Sequence, residues 1–263
     1  MTAGLYLRAA GRLLRSGVSL GTLDDRLIFV FGCPRSGTTF LAGAIGGLPG
    51  FVDLGEVPPL KAAVPELTGA DAEAAARRIR RILDRVRRIG LVGSRRGVEQ
   101  TPEAAFVLPA VARAFPEAVL VHIVRDGRDV ACSLLERGWL SRGRAGRDDA
   151  GSPYGPQARF WVEPGREEEF EAASDARRVA WAWRRYVSAV RESGVPCHEV
   201  RYEAIGAAAE PLAAALGCPL EPLAAGLARA HGSSVGRHRR DLSAEELAEV
   251  EAEAGVLLAA CGY

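Results

Sequence analysis

The feature that most limits what this chain can fold into is LIFVFGCPRSGTTF, residues 27–40. LIFVFG (27–32) is a continuous apolar run closed by glycine, the pattern of a strand buried on both faces. TTFLAGAIGGL (38–48) follows as a helix. Between them, Gly32 and Gly37 let the backbone turn sharply and aim several N–H groups at one point, where the helix N-terminus also favours an anion. Thr38 and Thr39 add hydroxyl donors. The spacing Gly-x4-Gly is that of a phosphate-binding P-loop, but Thr38 stands where a Walker lysine belongs, and the strongest cation is Arg35 inside the loop. The bland alternative is a glycine-rich turn without a ligand. The donors packed into Pro-Arg-Ser-Gly-Thr-Thr argue against it.

A strand of this kind needs parallel neighbours and covering helices, and the rest of the chain supplies the pattern. FVDL (51–54) reads as a weak second strand, EAVLVHIV (117–124) as a strong one and CHEVRY (197–202) as a later one. Residues 71–90 place Ile79, Ile82, Leu83, Val86 and Ile89 on one helical face. Residues 102–115 form a helix that Pro109 should kink or break. Helices are also predicted over 127–138 and 175–192, with three helical stretches towards the C-terminus. The expected architecture is α/β: a P-loop-containing, doubly wound parallel sheet flanked by helices, in a single domain over 1–263. Residues 140–174, rich in Gly, Arg, Asp, Glu and Pro, read as a surface insertion near the acceptor site.

A second charged turn repeats the logic of the first. In VHIVRDGRDVACSLLERGW (121–139), Arg125 sits at the carboxyl end of a strand, where open α/β sheets bind ligands. Ser133, eight residues on, falls in the first turns of the next helix. By itself RDGRD is equally an ordinary charged turn. Paired with the first loop, it makes two anion sites on one sheet edge, which fits a nucleotide carrying phosphates at both ends of its ribose.

Composition removes several other classes. A net charge of +1 argues against a globally basic nucleic-acid binder. Five scattered cysteines without a CxxC pair argue against a disulfide framework or a zinc site, and free thiols suit the cytoplasm. The longest early apolar run is far short of the roughly 20 residues that span a bilayer, and no signal-peptide pattern precedes it. No transmembrane segment, nucleic-acid partner or metal is therefore expected. Nine arginines between Arg77 and Arg96 fall mostly opposite the apolar stripe and read as a solvated face, with an acidic acceptor or a membrane surface as the lesser reading. Trp181 and Trp183 read as core, and as walls of an acceptor pocket only second. Lys61 is the only lysine, so any lysine-dependent chemistry has to use it.

With both loops in place, the chain resembles the superfamily of sulfotransferases that use 3′-phosphoadenylyl sulfate (PAPS), in a bacterial branch similar to the tyrosylprotein and carbohydrate enzymes. CPRSGTT resembles the family's 5′-phosphosulfate loop and VRDGRDVACS its 3′-phosphate segment. DLGEVPPL (53–60), VEQTP (98–102), EVRYEAI (199–205), SSVGRHRRDLS (233–243) and LAACGY (258–263) resemble further family segments. The resemblance implies that Arg35, Ser36, Gly37, Thr38 and Thr39 hold the 5′-phosphosulfate, and that Arg125 and Ser133 hold the 3′-phosphate. It implies that Tyr202 and Arg237 lie near the nucleotide. Gln100 departs from the lysine usual in VEQTP.

In-line sulfuryl transfer needs alignment, stabilisation of charge on the transferred oxygens, and removal of the acceptor proton. Arg35 and the loop amides serve the second need. Glu56, after a short strand and a glycine, is the candidate general base, with a surface carboxylate as the bland reading. His238, in the segment that resembles the closing loop, is the next candidate. The expected activity is transfer of a sulfuryl group from PAPS to an acceptor hydroxyl or amine, leaving PAP; carbohydrate, glycolipid, natural product and peptide tyrosine all stay open as acceptor. Two other readings stand beside it. A P-loop kinase or NTPase would want lysine at the place of Thr38, and a non-catalytic nucleotide-binding relative would bind PAP without transfer.

Overall fold

A computed structural model describes residues 23–88, 95–142, 159–230 and 232–263. Its centre is a five-stranded sheet, entirely parallel, in the order β2-β3-β1-β4-β5. The strands are β1 (Ile28–Phe31), β2 (Phe51–Gly55), β3 (Arg96–Glu99), β4 (Val119–Val124) and β5 (His198–Arg201). β1 is central, paired with β4 from Ile28 opposite Val119 to Phe31 opposite His122. The chain winds first to one side of β1 and then to the other, so the strand order reverses between β1 and β4. In open α/β sheets the ligand crevice lies at such a reversal, outside the carboxyl ends of the strands.

Every residue of β1 is buried, and successive side chains serve opposite faces. Leu27, Phe29 and Phe31 join one core cluster, Ile28 and Val30 the other. Helices cover both faces: α1 (Thr38–Gly46), α2 (Pro58–Leu67), α3 (Ala72–Val86), α4 (Leu108–Ala114) and α5 (Gly127–Arg137). After them come α6 (Glu167–Ala172), α7 (Asp175–Arg191), α8 (Ala209–Leu216), α9 (Leu220–Leu227), the single turn α10 (His238–Asp241) and α11 (Ala244–Ala260).

The expected doubly wound parallel sheet is present, with local differences. β3 and α2 were not foreseen. The helix predicted over 102–115 is divided: a 3₁₀ segment spans Pro102–Val107 and α4 begins at Leu108, with Pro109 in its first turn, where a missing N–H costs nothing. Asp71 caps α3 by accepting from the amides of Glu73 and Ala74, and Ile79, Leu83 and Val86 are buried as the periodicity requires; Ile89 lies outside the described residues. On α3, Arg77 pairs with Glu73, Arg78 with Glu66 and Arg80 with Asp25, as a solvated face does.

The described part of the 140–174 stretch is not all surface. Trp161 and Phe170 are buried and meet edge to face with centroids 5.3 Å apart, and Phe170 packs on Trp181 in the same way. Residues 143–158 of that stretch lie outside the described residues. Trp181 and Trp183 are fully buried and belong to the core.

Candidate functional site

Because all five strands run in one direction, their carboxyl ends share one edge of the sheet. The residue after each strand therefore lies in a single row: Glu56 after β2, Gln100 after β3, Gly32 after β1, Arg125 after β4 and Tyr202 after β5. Residues as far apart in the sequence as Gly32 and Tyr202 are gathered by topology alone.

The loop after β1 concentrates hydrogen-bond donors. Gly32 carries no Cβ because one would strike the carbonyl of Ile123 on β4. The amide of Ser36 donates to the Cys33 carbonyl at 3.0 Å, closing a turn. Arg35 then takes a left-handed backbone, φ 75°, which a side-chain-bearing residue adopts at a cost of about 1–3 kcal/mol. Gly37 follows at φ 102° and is the N-cap of α1, with no side chain to cap the first helical amides. Left-handed residues next to right-handed ones form concave nests of N–H groups suited to anions. Ser36 is buried with its Oγ lacking a hydrogen-bond partner, Thr38 is buried and Thr39 is exposed.

One strand away, Arg125 is a buried guanidinium. It donates to two carbonyls, Nη1 to Arg35 at 3.3 Å and Nη2 to Ser234 at 2.5 Å, and it stacks 4.9 Å above the ring of Tyr202. Its Nε has no partner, and no carboxylate pairs with it among the described residues. A buried cation without a counter-charge is costly, so the place is set for an anion. Ser133, in α5, is buried beside it and accepts from Arg35 Nε at 3.0 Å, tying the two loops together. Trp183 holds the turn from behind, its indole N–H donating to the Arg125 carbonyl at 3.0 Å, and Gly127 is the residue that admits its ring.

Tyr202 packs against Gly37, where any Cβ would collide with the ring, and so joins the loop after β1 to Arg125. Arg237 is placed differently. Its guanidinium pairs with Glu136 and, at 2.7 Å, with Asp241 on the flank of α5, and these acids raise its pKa. The backbone around it does reach the site. Asp129, fully buried, accepts from the amides of Gly236 (2.7 Å) and His238 (3.0 Å) and contacts His238 Nδ1 at 2.7 Å.

On the opposite side, Glu56 is partly exposed and pairs through Oε2 with Lys61 Nζ at 2.9 Å. Gln100 is buried, held by its amide to the Gly55 carbonyl, with Oε1 unpartnered. Beneath them Glu99 accepts from both the amide and the hydroxyl of Thr101, whose Oγ1 in turn accepts from the Val57 amide at 3.1 Å. Burial pushes the Glu99 carboxyl up to about 8, so it is largely protonated at neutral pH.

Trp139 received no role from the sequence, although it closes the second motif. Arg35 lies 5.8 Å from its ring centroid, and its buried indole N–H has no partner. Of the nine buried side-chain atoms without partners among the described residues, four belong to Ser36, Gln100, Arg125 and Trp139, around this one edge. Buried polar groups are nearly always satisfied in a finished structure, so such a concentration marks a place where a polar ligand completes the bonding. No three His, Cys, Asp or Glu side chains among the described residues gather as a metal-ligand set.

Comparison with known proteins gives the chain a family and relatives in fold. Residues 27–218 match the model of the Sulfotransferase family, and the chain belongs to that family. No curated protein matches closely. Among solved structures the chain is similar to the sulfotransferase domain of the Synechococcus PCC 7002 olefin synthase: 16% identity, 87% of this chain and 94% of that one, TM-score 0.54. It is also similar to the sulfotransferase domain of the curacin biosynthetic pathway, at 16% identity over 88% and 96% with TM-score 0.56. A third is sulfotransferase STF9 from Mycobacterium avium, at 13% identity over 94% and 80% with TM-score 0.50. At these identities the likeness is one of fold. Among the described residues no helix is long and apolar enough to cross a membrane.

Proposed function

We propose that the protein transfers the sulfuryl group of PAPS to an acceptor hydroxyl or amine by in-line displacement. The observation that carries this reading is Arg125: a buried guanidinium with no carboxylate partner among the described residues, one strand from a phosphate loop and linked to it by a hydrogen bond. A nucleotide with a single run of phosphates occupies one such site. A nucleotide phosphorylated at both ends of its ribose occupies two.

The residues present fit the donor. Arg35, Ser36, Gly37, Thr38 and Thr39 would hold the 5′-phosphosulfate through loop amides, hydroxyls and the guanidinium, and the unpartnered Ser36 Oγ is a waiting donor. Arg125 and Ser133 would hold the 3′-phosphate, with Tyr202 packed beside them. Arg237 reaches the nucleotide only by leaving both Glu136 and Asp241. Glu56, at the far end of the same row, would take the proton from the acceptor. As the bond from the acceptor oxygen or nitrogen to sulfur forms, the bond from sulfur to the bridging phosphate oxygen breaks; the acceptor proton goes to Glu56 and PAP leaves with the bond electrons. Trp139, beside Arg35, and the 140–174 stretch would form the acceptor side, with the whole of 1–263 acting as one domain.

The test combines binding and transfer. PAP at 100 times its dissociation constant adds about 2.7 kcal/mol of stability and should raise the melting temperature clearly, with ATP doing much less. Mass spectrometry of a cell extract incubated with enzyme and PAPS should reveal a product heavier by one sulfate. Equal stabilisation by ATP and PAP would overturn the two-phosphate reading, and PAP binding with no transfer to any acceptor would leave a nucleotide-binding protein.

A further inference from the structure

We propose that Lys61 is a positioning residue for the Glu56 carboxylate, anchored from behind by the buried acid Glu103. The inference rests on the reading of Glu56 as general base. Val57 is the N-cap of α2, and the Lys61 amide donates to its carbonyl at 3.0 Å, so the base and the lysine sit at the same end of one helix. Lys61 Nζ lies 2.9 Å from Glu56 Oε2 and 3.5 Å from Glu103 Oε1. The three side chains are graded in depth: Glu56 is 39% exposed, Lys61 12% and Glu103 not at all.

That gradient gives the ammonium a fixed place. A lysine on the surface has a long stem with free rotation and holds a partner poorly. Here the rear carboxyl is fully buried: Glu103 belongs to the 3₁₀ segment behind α2, and Tyr186 of α7 donates to its Oε1 at 3.4 Å. The front carboxylate is held by one oxygen, Oε2, and makes no other hydrogen bond among the described residues. Oε1 is therefore the oxygen available to an acceptor proton. Without Lys61 the Glu56 side chain regains its rotamers, and a base that is misplaced by about an ångström loses much of its effect. The plain alternative is that Lys61 only neutralises Glu103, in which case its loss changes stability and leaves the chemistry alone.

The experiment reads PAP release from PAPS with a panel of phenols, hexoses, amino sugars and tyrosyl peptides as acceptors. Lys61→Met is expected to lower kcat about 10- to 100-fold, the range for a lost hydrogen bond to a charged group, with KM and PAP affinity unchanged. Lys61→Arg should restore part of the loss. In a Glu56→Gln background, Lys61→Met should cost nothing further, because the two residues act as one unit. If Lys61→Met fails to fold, the same comparisons are made with Lys61→Met/Glu103→Gln against Glu103→Gln alone, which removes the buried charge that would be left bare. Wild-type kcat in Lys61→Met, or an equal loss whether or not Glu56 is present, overturns the proposal. If Glu56→Gln itself turns over like wild type, both the base and its positioning fall; if Glu56→Gln is crippled while Lys61→Met is not, only the role of Lys61 falls.

Discussion

Arg35 and Ser133, 98 residues apart in sequence, are joined by a hydrogen bond of 3.0 Å from the guanidinium Nε to the hydroxyl. The loop after β1 and the first turns of α5 are therefore one hydrogen-bonded unit, and Arg125 adds a second tie by donating to the Arg35 carbonyl. In the proposed reading, these bonds set the spacing of the two anion subsites.

Replacement of Arg125 by alanine should therefore weaken PAP selectively. A charge-assisted hydrogen bond contributes about 1.5–3 kcal/mol, or roughly 10- to 100-fold in dissociation constant. Ser133→Ala should cost less, since it removes a neutral hydroxyl. ATP, without a 3′-phosphate, should bind equally poorly to wild type and to both variants. Calorimetric titration with PAP and ATP checks this, and Arg125→Ala with unchanged PAP affinity would remove the second subsite.

Glu56→Gln keeps the shape of the side chain and removes its ability to accept a proton. General-base contributions amount to roughly 10²–10⁴-fold, and the loss should appear in kcat. The melting temperature and PAP affinity should stay near wild type, because Glu56, after the edge strand β2, stands three strands away from Arg125, after β4. A variant that also lost PAP binding would point to a structural role for Glu56.

Turnover should survive excess EDTA. The loop after β1 offers Thr38 in place of the lysine that accompanies magnesium in P-loop kinases, with Arg35 as its cation. Activity lost to EDTA and restored by magnesium would favour the NTPase reading.

The parts of this site that could be read in sequence are those with strong local signatures. β1 and β4 are apolar runs, and each is followed by a turn rich in Gly, Arg and Ser, so Arg35 and Arg125 stood out. β3 did not: Arg-Gly-Val-Glu holds one apolar side chain, and it is a strand because Gly97 lets Leu54 of the neighbouring strand pack over it. α2 was hidden by its two opening prolines, which suit a first turn but look like a breaker. Partnerships across the fold carry no local mark. Nothing in the sequence pairs Lys61 with Glu103, or Asp129 with His238. Arg237 shows the converse: a motif led to the segment, but the guanidinium turned to Glu136 and Asp241.

Glu99 gives the fold a dependence on pH. Its carboxyl lies at about 8 in the folded protein against 4.5 ordinarily, chiefly because it is buried, with the charge of Glu56 adding to the effect. The folded state thus holds a proton that the unfolded state releases between these values, and stability falls as pH rises. The contribution is full below pH 4.5 and is lost as pH rises through about 8. Glu99→Gln keeps an oxygen for the Thr101 donors and cannot ionise, so its melting temperature should fall less than that of wild type between pH 6 and pH 8.5. Parallel curves would mean that Glu99 is ionised in the fold at neutral pH.

Asp129 is buried at the start of α5, and its two oxygens receive the amides of Gly236 and His238, with the His238 ring against one of them. These bonds pin the segment whose Ser234 carbonyl meets Arg125. Asp129→Asn preserves volume but puts an NH₂ against an N–H donor, and an unsatisfied buried group costs about 1–3 kcal/mol. The strain falls on the segment and not on the sheet, because β1 and β4 are held by their own ladder. Amides of residues 234–241 should therefore lose protection in hydrogen exchange, while those of β4 keep it. PAP should dissociate faster, and its association rate should change little. If exchange rises equally in β4 and in the segment, Asp129 supports the whole fold. If neither exchange nor PAP release changes, the bonds to Gly236 and His238 do not hold the segment, and the 3′-phosphate side owes its closure to Arg125 and Ser234 alone.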